Sequence, residues 1–162
     1  MGHPKINLPK EPIDNILDLI GLLGIIAMIG MTFYYAGILP EKIPTHFNFR
    51  GEPDAWGSRS AIWTMPILGV ALFAILYFAN KFPHTFNFPM KITEENAPKE
   101  YRKVTRTLRF LNVGIVFLFF YITWRTIQTA LGNSEGLGNM LLIVVFCSLA
   151  GIIGFLSSNR KT

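Results

Sequence analysis

Apolar residues cluster in four blocks along the chain, and each block is close to the length that crosses a membrane. The blocks cover residues 16–37, 61–79, 108–131 and 137–157. A helix of about 20 apolar residues spans a hydrocarbon core, and stretches such as "MLLIVVFCSLAGIIGFL" are apolar on every face rather than amphipathic. The pattern therefore predicts an all-α membrane protein with four transmembrane helices and a structured extracytoplasmic loop between helices one and two.

The composition agrees with lipid as the solvent of this chain. The hydrophobic fraction is 51%, only 15% of the 162 residues are charged, and the mean hydropathy is +0.38. So little charge cannot coat a soluble globule. The first apolar block is longer than the core of a signal peptide and no small-residue cleavage pattern follows it, so we expect it to remain as an anchor. The single cysteine, Cys147, cannot form an internal disulfide.

The distribution of Lys and Arg predicts the orientation. Most basic residues lie in the lead-in 1–15, in the connector 80–107 or in the tail 158–162, whereas the first loop, 38–60, carries three. By the positive-inside rule, both termini and the basic connector face the cytoplasm and loop 38–60 faces outward. The net charge of +5 therefore indicates membrane topology rather than a nucleic acid partner.

The basic connector has two predicted parts. Pro83 and Pro89 favour extended chain in "NKFPHTFNFPMKIT", whereas "EENAPKEYRKVTRTLRF" is typical of a helix with Thr93 as its N-cap. The proline-rich lead-in is expected to lie along the membrane surface.

Two local patterns concern the transmembrane helices. Small residues at close helical spacing, such as Gly21 and Gly24, indicate a bundle in which helix backbones approach closely. At the start of helix two, the sequence "GSRS" predicts Ser58 or Ser60 as the N-cap.

The outer loop contains a segment, "KIPTHFNFR", in which apolar and polar side chains alternate. This is the period of an extended strand. We expect the apolar face to lie against the bundle or in the interface; it carries Ile43, Phe47 and Phe49. The polar face carries His46, Asn48 and Arg50.

The sequence "GEPD" predicts a chain reversal after this segment, because Gly51 and Pro53 favour turns. The reversal would return Glu52 and Asp54 towards His46. Three interpretations stay open: a metal or acid-base site, hydrogen bonding of the loop to its own backbone, and a recognition surface for a peptide or lipid. No recognised metal, haem or catalytic motif occurs, so we assign no catalytic residue, metal or cofactor.

The outer side has eight candidate ligand or loop-clamp residues. They are His46, Asn48, Arg50, Glu52, Asp54, Trp56, Arg59 and Arg125. Trp56 suits a membrane interface. Arg125 lies near the outer end of the third block, where an unpaired charge costs about 2.5 kcal/mol or more. It either snorkels to the headgroups or clamps the loop through an ion pair with Glu52, Asp54 or Glu135.

One run of residues in the outer loop carries a family resemblance. It comprises Leu39-Pro40, Ile43-Pro44-Thr45-His46, Asn48, Gly51, Pro53-Asp54, Trp56 and Ser58-Arg59. The run resembles the uncharacterised membrane domain at the N-terminal end of SdpI-type bacterial immunity proteins, and "PHTFNFPMKITEENAPKEYRKVTRTLRFL" is similar to the connector of small stand-alone members. The resemblance implies a bacterial inner-membrane location and protection against a secreted antimicrobial peptide.

Three functions remain open at this point. The first is a non-enzymatic receptor or immunity-like protein, alone or as a homo-oligomer, whose outer loop recognises a peptide or a membrane lipid. The second is an accessory subunit of a larger inner-membrane complex. The third is an interfacial enzyme that uses His46 and Asp54 as an acid-base pair.

Overall fold

The computed structural model describes residues 3–138 of the chain. The predicted fourth helix at 137–157 lies almost entirely outside the described residues, and the predicted tail 158–162 lies outside them as well. The described part forms helices α1 (Pro12–Ala36), α2 (Thr64–Ala79) and α3 (Ala97–Ala130), strands β1 (Lys42–Phe47) and β2 (Pro53–Ser58), and 3-10 turns at Arg59–Trp63 and Pro83–Thr85.

The described part is mostly helical, in agreement with the predicted fold class, and loop 38–60 adds a feature that the all-α assignment did not include. The loop folds into a two-stranded antiparallel sheet, in which β1 and β2 form a hairpin between α1 and α2. Ser58 is the N-cap of the 3-10 turn that leads into α2, and its side chain accepts the N–H of Ser60 at 3.4 Å. This cap was predicted.

Three helical segments in the described part are long and apolar enough to cross a membrane, namely Pro12–Ala36, Arg59–Ala79 and Ala97–Ala130. Their outer faces expose large apolar side chains, among them Phe33 at 76% and Ile67 at 63%. A soluble surface rarely tolerates so much contiguous apolar exposure, whereas lipid accepts it at no cost.

Helix α1 begins four residues before the predicted boundary. Pro12 occupies the first turn, where its missing N–H costs nothing, and the carboxylate of Asp14 accepts the N–H of Glu11 at 2.9 Å. The added turn carries the acidic side chains of α1 towards α3.

Helix α3 joins two elements that the sequence had suggested separately, the helix of the basic connector and the third transmembrane span. Its 34 residues extend about 50 Å, which exceeds a hydrocarbon core of about 30 Å. The N-cap is Asn96 rather than the predicted Thr93. Thr93 lies three residues earlier, where its N–H donates to Asn96 Oδ1 at 2.9 Å.

Glycines bring the helices together, as predicted. A Cβ added at Gly21 would lie 2.7 Å from the Phe73 ring, and one added at Gly24 would lie 2.6 Å from Val116. The contact surface between α1 and α3 centres on Ile25, Met28 and Val116, of which the last two are fully buried.

The proline-rich lead-in folds back onto the first turns of α3. Ile6 and Leu8 pack against a buried cluster around Tyr101, and the Tyr101 hydroxyl donates to the carbonyl of Pro4 at 2.8 Å. The helix ends at this side, the connector and the lead-in together are called the basic end below, and the opposite side is called the hairpin end.

Candidate functional site at the hairpin end

Asn48 organises the tip of the hairpin. Its side-chain Oδ1 accepts the N–H groups of Arg50 at 2.8 Å and Glu52 at 3.1 Å, and its Nδ2 donates to Glu52 Oε2 at 2.9 Å. The amide thereby satisfies donors that a tight reversal leaves without backbone partners. Gly51 makes the reversal with φ +78°, a conformation that favours glycine. The chain reverses as predicted and Gly51 takes part, but the turn lies at residues 48–51, and Pro53 begins β2 rather than belonging to the turn.

The reversal brings Asp54 to His46, as predicted. His46 Nδ1 lies 2.5 Å from Asp54 Oδ1, and the two side chains are 69% and 43% exposed. An ion pair in contact with water contributes about 0–1 kcal/mol to stability. The pair therefore contributes little to the stability of the fold, and both side chains are accessible to a ligand. Glu52 does not join it, because its carboxylate is bonded to Asn48.

Strand β1 pairs irregularly with β2 and ends before Phe49. The register shifts between Pro44 and His46 and again between His46 and Phe47. The predicted alternation holds for buried Ile43 but fails for Phe49, which is fully exposed at the tip. Phe49 was expected on the apolar face, but β1 ends at Phe47 and Phe49 lies in the turn that follows, where the alternation of a strand no longer applies.

The base of the hairpin is closed by Arg59. Its guanidinium Nη1 donates to the carbonyl of Leu39 at 3.2 Å, and its backbone N–H donates to the carbonyl of Glu41 at 2.9 Å. Both contacts link the two ends of the loop. Arg59 therefore acts as a loop clamp, whereas Arg50 is exposed on the turn.

The outer edge of β2 presents backbone groups that the hairpin does not use. Bonded and unbonded residue pairs alternate along an antiparallel ladder. Arg59 bonds Glu41 across this ladder, so Trp56, three positions earlier, is in an unbonded pair with Pro44. Pro44 has no N–H, which agrees with this assignment. The N–H and C=O of Trp56 therefore point away from β1, and no other strand of residues 3–138 pairs with β2.

The predicted ion pair between Arg125 and Glu52, Asp54 or Glu135 is not among those formed within the described chain. Instead, Arg125 Nε donates to the carbonyl of Gly136 at 2.7 Å. The ion-pair form of the clamp is therefore wrong. A carbonyl in the turn after α3 is within reach of the guanidinium, and it satisfies the donor without requiring a carboxylate at the membrane boundary.

The turn after α3 nevertheless holds the hairpin, through backbone contacts. The N–H of Leu137 donates to the carbonyl of Gly51 at 2.7 Å, and the Tyr121 hydroxyl donates to the carbonyl of Leu137 at 2.5 Å. With Arg125 on Gly136, α3 fixes two consecutive residues of the turn, and the turn fixes the hairpin tip. We call Gly136 and Leu137 the docking turn.

A second polar cluster lies at the basic end, and the sequence reasoning did not identify it. Its members are Glu11, Asp14 and Asp18 near the start of α1, and Arg102, Arg106 and Arg109 on α3. Within each set, neighbouring members are three or four residues apart, so each set lies on one face of its helix. The acidic face of α1 and the basic face of α3 point towards each other. This matched spacing is visible in the sequence and indicates ion pairs between the two helices, whereas the distribution of Lys and Arg alone indicates only orientation.

Comparison with known proteins places the hairpin inside a recognised segment. A family described as a domain of unknown function, DUF1648, matches residues 23–70, which run from α1 through the hairpin into α2. An uncharacterized protein of Archaeoglobus fulgidus is 37% identical in a 59-residue alignment that covers 32% of this chain and 32% of that protein. The match thus covers about a third of the relative's length. No solved structure matches the chain.

These similarities agree with a small membrane protein of an uncharacterised kind. Neither the family description nor the name of the relative mentions immunity, a receptor or an enzyme. Within residues 3–138, no group of three or more His, Cys, Asp or Glu side chains is arranged to hold a metal ion. The site's chemistry is therefore that of exposed hydrogen-bonding groups beside exposed aromatic rings.

Proposed function

We propose that the chain is a non-enzymatic, receptor or immunity-like membrane protein that recognises an extended peptide along the outer edge of β2. The observation that carries this proposal is the open edge at Trp56, where an N–H and a C=O face away from the hairpin. Exposed strand edges pair readily with another chain in extended conformation, and main-chain hydrogen bonds supply much of the affinity in such complexes.

Side chains beside this edge offer the means for specificity. Trp56 is 53% exposed and gives a ligand apolar contact, while the His46 and Asp54 pair offers a charged or hydrogen-bonded contact. The hairpin is held at its base by Arg59 and at its tip by the docking turn. A rigid edge loses little entropy when a peptide joins it. By the positive-inside rule, this surface faces outward.

The acid-base alternative finds less support in the geometry. His46 and Asp54 are close enough for proton transfer, but both side chains are largely in contact with water. General acid-base catalysis requires a substrate held against the pair, and enzymes exclude water from such sites. A peptide in extended conformation can use the outward N–H and C=O of Trp56 together, and this pairing favours a peptide over a lipid as the ligand.

A proline at the edge tests the proposal. Peptides selected from a random displayed library on the full-length protein in lipid nanodiscs should bind Trp56→Pro at least about tenfold more weakly than Trp56→Ala. Both variants lose the indole, but only proline removes the outward N–H and obstructs strand pairing. The N–H concerned does not bond β1, so the hairpin itself is retained. Affinities are measured by fluorescence anisotropy.

Equal binding by the two variants would reject strand addition. Circular dichroism and elution as a single species establish that both variants fold. If instead a stoichiometric second subunit co-purifies from the source membrane and covers β2, the accessory-subunit alternative replaces this proposal.

The immunity part of the proposal has its own experiment. Cells of a sensitive bacterium that express the wild type should survive a higher concentration of an antimicrobial peptide bound by the hairpin than cells that express Trp56→Pro. Survival that does not differ between them, at equal expression, rejects immunity and leaves peptide recognition standing.

A further inference from the structure

A cavity at the basic end lies between the lead-in and the ends of all three helices. Its volume is about 270 Å³, and its polar lining includes Lys10, Asp14, Asp18, Asn80, Lys81 and Arg109. It is remote from the hairpin, because α1 begins and α2 ends at this side. Nothing in the proposed peptide recognition uses it.

The two carboxylates in the cavity are already saturated by partners from the chain. Asp18 accepts Lys10 Nζ at 2.7 Å on one oxygen and Arg109 Nε at 3.1 Å on the other. Asp14 accepts Arg106 Nε at 3.2 Å on one oxygen and the N–H of Glu11 at 2.9 Å on the other. The acidic groups are therefore not available to attract a metal cation.

The lysines that line the cavity retain positive charge and N–H donors that no carboxylate uses. Three basic side chains line it against two carboxylates, so the lining carries one surplus positive charge. Lys81 forms no ion pair within the described part of the chain; its Nζ lies 4.8 Å from the Phe78 ring centroid and 5.2 Å from that of Tyr77. A lysine ammonium carries three donors, and Lys10 has used one on Asp18. Donors and charge therefore both favour an anionic ligand.

Asn80 adds an independent requirement. Its side chain lines the cavity and is nine-tenths buried, and Nδ2 donates to the carbonyl of Leu76 at 3.1 Å. Its Oδ1 has no hydrogen-bond donor among the described residues. An unsatisfied buried acceptor costs about 1–3 kcal/mol. A ligand that carries a hydroxyl or ammonium beside its anionic group would satisfy it.

The location agrees with this chemistry. The cavity lies where apolar α1 and α2 meet the basic segments, and Tyr77 there has the amphipathic character of an interfacial residue. Basic pockets between transmembrane helices bind phospholipid headgroups. We propose that this cavity is a phosphate-binding site, in which Lys81 and Lys10 contact the phosphate and Asn80 accepts a donor from the group attached to it. A lipid headgroup and a free phosphate compound share this chemistry.

A titration of the full-length protein in nonionic detergent tests the site. The probes are dihexanoyl phosphatidylglycerol, dihexanoyl phosphatidylcholine and inorganic phosphate, and binding is measured by isothermal titration calorimetry. We expect phosphatidylglycerol to bind most tightly, because it combines a net negative charge with hydroxyl donors. Lys81→Gln should weaken this binding about fivefold, the effect of losing one cation near a headgroup.

Lys99→Gln is the matched control, because Lys99 is exposed on α3 at the same end and does not line the cavity. It should change the affinity less than about twofold, and Lys81→Arg should retain the binding of the wild type. The Arg variant keeps the test informative should the Gln variant fold poorly. Tight binding of inorganic phosphate with no gain from the lipid assigns the site to a free phosphate compound.

Two results would overturn the proposal. One is equal loss of binding in Lys81→Gln and Lys99→Gln, which would reduce the effect to general surface charge. The other is failure of phosphatidylglycerol and inorganic phosphate alike to bind the wild type. Because no hairpin residue lines this cavity, neither result affects the proposed peptide recognition at β2.

Discussion

Replacing Asp14 by alanine should lower the free energy of unfolding by about 1–3 kcal/mol, because Arg106 then keeps only the half-exposed Glu11 and Arg109 keeps only Asp18. The Asp14 side chain is 5% exposed, and it accepts Arg106 Nε at 3.2 Å and lies 3.7 Å from Arg109 Nη1. Each arginine keeps its charge but loses one of the two carboxylates that it contacts. Denaturant titration in detergent micelles measures the loss.

Glu95→Ala is the control for charge alone, because Glu95 is an exposed acid in the connector at the same end. Its effect should stay within about 0.5 kcal/mol. A double-mutant cycle with Arg106→Ala then isolates the pair, and the double variant should lose less than the sum of the single losses. Additive losses, or equal losses in Asp14→Ala and Glu95→Ala, would show that the cluster does not stabilise the fold.

The second large effect is expected at the docking turn. Gly136 has φ +153°, and a Cβ added there would lie 2.0 Å from the carbonyl oxygen of Gly51. The Gly51 carbonyl oxygen is a backbone atom and cannot rotate away as a side chain could. Gly136→Ala must therefore separate the turn from the hairpin tip. We expect amide hydrogen exchange in residues 48–58 to become at least about tenfold faster, as local opening loses the Leu137 to Gly51 hydrogen bond.

Gly132→Ala is a closely matched control. Gly132 also has positive φ, +76°, but a Cβ added there meets nothing within 4 Å. The same substitution there carries a backbone cost of about 1–2 kcal/mol without a collision. Exchange in the hairpin should therefore remain close to the wild type. If both variants accelerate exchange equally, strain in the turn rather than contact with Gly51 explains the effect.

The features that the sequence predicted well are those set by neighbouring residues. Gly51 allows the reversal through its positive φ, and the reversal places Asp54 against His46 at 2.5 Å. Ser58 capped the segment that enters α2, because a short hydroxyl side chain can reach an unbonded N–H. Each conclusion needed only a few adjacent positions, and none depended on tertiary contacts.

The features that were missed depend on distant partners. Phe49 is not on the predicted face because β1 ends at Phe47, and where a strand stops pairing depends on both strands, which the alternation along one segment does not contain. Arg125 found a backbone carbonyl, and a sequence reports side-chain charges but not the positions of carbonyls. The Asp14 and Arg106 pair joins residues 92 positions apart. Only the matched three-and-four spacing could have indicated it.

The two proposed sites differ in whether the matched family segment contains them. The segment matched by the uncharacterised family, residues 23–70, contains the hairpin and omits the docking turn and the arginines of α3. The candidate peptide surface therefore belongs to the matched segment, whereas every residue that lines the cavity at the basic end lies outside it. The two proposed sites can be tested separately for this reason.

Helix α3 is continuous over 34 residues and connects the basic end to the hairpin end. Its first turns hold the lead-in through Tyr101, and its last turns hold the docking turn through Tyr121 and Arg125. A continuous helix of this length is stiff, so a displacement of the docking turn at one end of α3 is carried to the packing around Tyr101 near the other end.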